Sequence, residues 1–218
     1  MQLITTTWEY FVTHQAEFWA KTGAHLRLSG TALFIGVLAG VLLGILAARS
    51  RGASSFVTNG VGAARAIPSM AIMAAMLPLI GTGFTPALIA LTLLAIPPIL
   101  INTQAGLASV DPAILEAARG MGLAETQVVR QVQIPLALPV IIAGFRIAAV
   151  EVVASATIGA IIGAGGLGEY IFAGLSLGPS YLHLVLLGAI TVALLTLAAE
   201  LFLNRAERAA QRSYYHPA

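Results

Sequence analysis

Apolar residues in this chain neither alternate nor follow the three-to-four rhythm of an amphipathic helix. They run in long blocks punctuated by isolated charges. From Leu28 to Ala48 the chain reads LSGTALFIGVLAGVLLGILAA, bounded by Arg27 and Arg49 and free of charge between them. A second charge-free block, Ala66 to Val110, is too long for one membrane crossing and breaks at Gly81-Thr-Gly-Phe-Thr-Pro86, where glycines and a proline mark a turn. A crossing needs about 20 apolar residues, and within hydrocarbon only helix satisfies its backbone groups inside one segment. The pattern predicts an all-α, polytopic membrane helical bundle with five transmembrane helices near residues 28–48, 66–80, 86–103, 136–161 and 181–203.

Composition strengthens the membrane reading. Of 218 residues, 58% are hydrophobic and only 9% are Asp, Glu, Lys or Arg, against about 25% charged in ordinary soluble domains. Cysteine is absent, which excludes a disulfide framework, a thiolate metal site and a cysteine nucleophile; with four scattered histidines, no transition-metal site is expected. The first 26 residues carry Glu9, Glu17, His14 and His25 where an apolar h-region would run, so no cleavable signal peptide is expected. Trp8, Tyr10, Phe11, Phe18 and Trp19 lie among polar residues, and 1–24 reads as an interfacial helical segment that anchors rather than handles solute.

Basic residues set the expected orientation. Arg49, Arg51, Arg65, Arg119, Arg130, Arg205, Arg208 and Arg212 fall on one side of the five spans, and Lys21 and Arg27 on the other. The asymmetry predicts an external N-terminus and a cytoplasmic C-terminus, with 204–218 as a cytoplasmic tail.

Between the third and fourth spans the chain changes character. Asp111, Glu116, Arg119, Glu125 and Arg130 make residues 111–135 a polar island after 45 residues without charge. Asp111 before Pro112 predicts a helix start, because Asp accepts from an orphan N–H and Pro at the first helical position loses nothing. The helix is expected to close at Gly120-Met121-Gly122 in a left-handed turn. A second short helix fits Ala124 to Val132, and Pro135 and Pro139 are expected to bend the chain into the fourth span. A DNA-binding helix-turn-helix would need a basic face, which this mixed-charge island lacks, so no nucleic-acid partner is expected.

Glu116-Ala117-Ala118, three residues, Gly122, nine residues and then Val132-Gln-Ile-Pro135 resembles the EAA motif of ABC importer permeases. Val132 and Ile134 depart from that motif by conservative apolar exchanges. The resemblance implies a type I ABC importer (methionine-importer-like) permease fold over about residues 25–203. It also implies that 111–135 forms coupling helices docking on a separate ATP-binding subunit, with Glu116, Ala117, Ala118, Gly122 and Pro135 as the coupling residues. ATP and Mg would belong to that partner, and this chain would carry no cofactor. No G-x-x-x-x-G-K-[ST] occurs and Lys21 is the only lysine, so the chain has no P-loop of its own.

Further pieces narrow the resemblance. His25-Leu-Arg-Leu-Ser29, Ala66-Ile-Pro-Ser69, Gly83-Phe-Thr-Pro86, Pro97-Pro-Ile-Leu-Ile-Asn-Thr103, Val110-Asp-Pro112 and Gly163-Ala-Gly-Gly-Leu-Gly168 are together similar to permeases of osmoprotectant importers. That likeness implies glycine betaine, carnitine or choline as solute, an extracytoplasmic substrate-binding protein and a second permease, the same or a related chain. The expected location is a bacterial or archaeal cytoplasmic membrane. Methionine or other amino-acid importer permeases are the alternative of the same architecture. An ion-coupled secondary transporter is a rival of another class, and neither the island nor the absence of an evident inverted repeat suits it. The 163–168 run follows no strand and reads as a tight external turn rather than a dinucleotide site.

Within the fourth span, Arg146 and Glu151 stand out because charge in mid-bilayer costs about 2.5–3.5 kcal/mol on insertion scales. Arg146 is expected to meet a carbonyl or acid of another helix. Glu151, with Ser155 four residues on, is the candidate for the substrate path, against the preferred reading of a polar packing contact. Met70, Met73 and Met76 read as adaptable packing among small residues.

Overall fold

The computed structural model describes residues 2–49, 60–62 and 67–215, and among them every regular element is helical. In chain order these are α1 (Gln2–Thr13), α2 (Gln15–Ala48), α3 (Ser69–Ile80), α4 (Phe84–Ala108), α5 (Pro112–Gly120), α6 (Glu125–Ala156), α7 (Gly168–Leu177) and α8 (Leu182–Tyr215). Arg51, Arg65 and Ala66, which entered the charge count and the second predicted span, lie outside the described residues, as do 216–218 of the predicted tail.

Among the described residues four helices, α2, α4, α6 and α8, are long and apolar enough to cross a membrane. The predicted count of five membrane-length helices is corrected to four at α3. It has 12 residues, starting after Pro68 and stopping at Gly81, whose φ is +84°. At 1.5 Å per residue it extends about 18 Å, short of the roughly 30 Å hydrocarbon layer.

Other boundaries moved because helices continue where charge alone suggested an end. Helix α2 begins 13 residues before Leu28, and α8 extends to Tyr215. The second island helix and the fourth span are one run, α6. A π-helical turn at Val128–Gln133, in which the Ile134 N–H donates to the Val129 carbonyl, precedes Pro135. That widened turn changes the hydrogen-bond register just where Pro135 supplies no N–H, so helix continues instead of breaking. After α6 a 3-10 turn, Ile158–Ile162, leads to the glycine run. Helix α7, absent from the sequence reading, follows directly.

The chain divides into two compact units, and the boundary falls within α2, α4, α6 and α8. The first holds 1–35, 67–95 and 149–199. Its core joins Phe18, Leu167, Tyr170, Leu184 and Leu187, with Tyr10 and Phe11 of α1 packed against them. Phe11 meets Phe18 edge-on at 4.8 Å, and Tyr10 meets Tyr170 edge-on at 6.2 Å, both favourable aromatic geometries. The N-terminal aromatics therefore divide: Trp8 and Trp19 are exposed, while Tyr10, Phe11 and Phe18 pack inward.

The second unit holds 36–66, 96–148 and 200–218. Here Gly40 and Gly44 let α2 approach α4. A Cβ on Gly44 would stand 2.6 Å from the Cβ of Thr103, and one on Gly40 would stand 2.8 Å from the Cβ of Ile99. Small residues four apart permit such backbone contact where no hydrophobic drive acts between helices. Leu107, Val110 and Ala137 form a second cluster, against which Leu115 and Ile134 of the island pack.

Candidate coupling island and polar membrane residues

Helix α5 starts as its residues dictate. The Asp111 carboxylate accepts from the Ala113 N–H at 2.9 Å, and Pro112 occupies the first turn. At the other end the Gly122 N–H donates to the Arg119 carbonyl at 2.9 Å and the Leu123 N–H to the Ala118 carbonyl at 3.3 Å. With Gly122 at φ +86°, these two bonds close the helix in a Schellman turn. A Cβ at Gly122 would meet no atom within 4 Å, so its requirement for glycine is one of backbone conformation.

The Arg119 guanidinium then spans the turn to Glu125, Nε to Oε1 at 2.6 Å and Nη2 to Oε2 at 3.4 Å, an exposed bidentate pair across the junction of α5 and α6. That guanidinium holds the Glu125 carboxyl below the usual carboxylate range. The Gln127 side chain accepts from the Ala124 N–H at 2.9 Å and caps α6. Gln133 donates to the Leu107 carbonyl at 3.0 Å and ties the π turn to the end of α4.

The structure thus places Glu116, Ala117, Ala118 and Gly122 on one short helix and its closing turn. Glu116 and Ala117 are exposed, whereas Ala118 is buried and anchors the helix. Two apolar side chains, Ile114 and Met121, stand exposed beside them at 44% and 74%. Pro135 lies in α6, half-buried, 13 residues beyond Gly122. Two exposed apolar side chains therefore stand beside a carboxylate on a helix capped at both ends.

Arg146 finds acids on another helix. Its Nε donates to Glu207 Oε2 at 3.1 Å and its Nη1 pairs with Glu200. Glu200 and Glu207 are seven apart, two turns of α8, and so share a face. The Arg146 charge is thereby met by two carboxylates across a helix pair, and nothing in the sequence pattern singled out those two acids. Glu151 and Ser155 belong to the other unit, four apart on α6, and both are half-buried.

A second polar cluster escaped the sequence reading. The Lys21 ammonium pairs with Glu17, at 3.6 Å, and with Glu169 of α7, and lies 5.3 Å from the centre of the Tyr170 ring. Burial, followed by the neighbouring Glu17 carboxylate, pushes the Tyr170 phenol up. His25 is fully buried, and its Nε2 lies 3.0 Å from the Val153 carbonyl, which makes that nitrogen the donor. Gly166, at φ +93°, presses on His25: a Cβ there would stand 3.3 Å from its Cα and Nδ1. The predicted tight turn is present, with Gly163, Gly165 and Gly166 all at positive φ, and Gly166 lies against His25.

Residues 40–212 match the family described as binding-protein-dependent transport system inner membrane component. The chain belongs to this family. The permease is 43% identical to the carnitine transport permease protein OpuCB of Listeria monocytogenes over 86% of its own length and 85% of that relative. It is 37% identical to the choline transport system permease protein OpuBB of Bacillus subtilis (strain 168), over 92% and 91% of the two chains. Among solved structures, an inward-facing form of the MetNI methionine ABC transporter matches at a TM-score of 0.77. That match covers 88% of the permease and 95% of the other chain at 24% identity, a likeness of fold. The chain is accordingly an all-α, multi-pass membrane permease with the type I ABC importer fold.

Proposed function

We propose that the permease moves a quaternary-ammonium osmoprotectant, of the glycine betaine, carnitine and choline class, across a cytoplasmic membrane. The observation that carries this reading is 43% identity, over nearly the whole chain, to a protein named for carnitine transport. The methionine alternative rests on a likeness at 24% identity, which speaks for fold only.

In this reading two permeases, identical or related, enclose the path, and a substrate-binding protein delivers solute from outside. A separate ATP-binding subunit, carrying ATP and Mg, grips the island through Glu116, Ala117 and the turn at Gly122. The unbroken run of α6 and the tie from Gln133 to the end of α4 support the mechanical part: a displacement of the island is passed on to membrane-crossing helices. The N-terminus is external and the C-terminus cytoplasmic, which requires the segment that holds the short helix α3 to make a fifth passage besides the four long helices, so that the island faces the ATPase. Because the chain has no cysteine, single cysteines at Thr5 and at Thr126 test this orientation directly. An impermeant maleimide applied to intact cells should label position 5 and spare position 126, and the reverse would overturn the topology. For the function itself, the complex co-purified with its ATPase and binding protein should bind labelled carnitine, betaine or choline. A complex that binds methionine and none of these would reject the proposal.

A further inference from the structure

The C-terminal half of α8 is divided by charge. Arg205, Arg208 and Arg212 follow one another at i, i+3 and i+7; all three are exposed, and none has an ion pair to the described residues. Leu194, Leu197 and Leu201 precede them on the same helix with exposures of 60%, 53% and 45%. At 100° per residue, these three leucines and three arginines lie within an arc of about 80°. The helix therefore presents one continuous stripe, apolar for its first part and guanidinium for its second. Arg205 lies only about 6 Å of helix rise past Leu201, and Arg212 about 10 Å beyond Arg205. Hydrocarbon gives way to headgroup over that same range of depth.

The acids on this helix are kept away from the stripe. Glu200 and Glu207 lie roughly 100–120° from its centre and are both engaged by Arg146. The three guanidinium groups, none of them in an ion pair with a described residue, lie on the side that the exposed leucines assign to lipid. We propose that Arg205, Arg208 and Arg212 form a binding site for anionic phospholipid headgroups in the leaflet at the C-terminal end of α8. The planar guanidinium group, with its fork of donors, suits phosphate, and its aliphatic stem lies along apolar surface. Charge complementarity and continuity with the leucine stripe select a lipid phosphate over an acidic protein surface.

The test uses the full permease reconstituted into vesicles of mixed phosphatidylglycerol and phosphatidylcholine. The protein is then extracted in mild detergent, and its retained lipids are counted by native mass spectrometry. Each guanidinium near the surface contributes up to about fivefold in relative association. The triple change R205Q/R208Q/R212Q should therefore lower phosphatidylglycerol retention by about tenfold or more, with phosphatidylcholine unchanged. R205K/R208K/R212K should retain most of it, and high salt should weaken it in the wild type. Unchanged phosphatidylglycerol retention in the triple glutamine variant would overturn the proposal. So would loss of the co-purified ATP-binding subunit with lipid retention intact, which would identify a protein-docking face instead. If the triple variant fails to insert, the three single glutamine variants take its place, and wild-type retention in all of them is likewise contradictory.

Discussion

Glu116 is exposed on a helix capped at both ends, so its replacement acts on whatever docks there and not on the fold. Glu116→Lys should lower both ATPase co-purification and transport by about tenfold or more, since juxtaposing like charges at an interface costs several kcal/mol. Normal membrane levels with normal coupling would remove the residue from the interface. Gly122 acts through φ +86° alone, because space around it is open. Gly122→Val should cost about 1–2 kcal/mol locally and uncouple transport, whereas Gly122→Asn, which tolerates left-handed backbone, should retain most activity. Equal transport by both variants would show that the Schellman turn is dispensable. Glu151 separates two uses of a half-buried carboxylate. If it packs helices, Glu151→Gln keeps most hydrogen bonding, worth only about 0.6 kcal/mol on average in membranes, and uptake hardly changes. Reduced uptake at normal assembly would instead put Glu151 on the path of a cationic solute. Asp111, Pro112 and Gly122 were legible in advance because each acts on its own backbone. His25, Glu200, Glu207 and Glu169 were not, because their partners lie 54 to 148 residues away in sequence.

Helices were legible where composition alone decides them. The charge-free runs gave α2 and α4 their centres, but charge marked ends that the backbone ignores. Helix α2 passes Lys21 and Arg27, and α8 passes Arg205. A charged residue ends an apolar block without ending a helix, since its side chain can pair or reach water. Proline misled in the same way at Pro135, where a π turn keeps the helix running. Helix α7 was invisible because its ten residues lie between glycine turns and cannot span hydrocarbon. The Arg146 pairing joins α6 to α8, and its members are 28%, 33% and 16% exposed, so solvent screens it in part. Arg146→Gln should lower stability by about 1 kcal/mol. Thermal unfolding in detergent should show a lower Tm, with partial recovery on adding E200Q and E207Q. An unchanged Tm would show that the ion pairs contribute nothing net.

For the whole permease, the exposed apolar flanks and the glycine contacts between α2 and α4 describe a chain solvated by lipid. Solute class was not legible from physical pattern, since among the described residues no constellation in the spans is specific to a methylammonium head; similarity to the carnitine and choline permeases supports it. The most direct test is uptake into vesicles holding the reconstituted permease, its ATP-binding subunit and ATP, with the binding protein outside. The expected result is accumulation of labelled carnitine, glycine betaine or choline that requires ATP and is abolished by Glu116→Lys at normal permease content. Accumulation of methionine without any of these solutes, or uptake of a quaternary ammonium that persists without ATP and with the island altered, would contradict it.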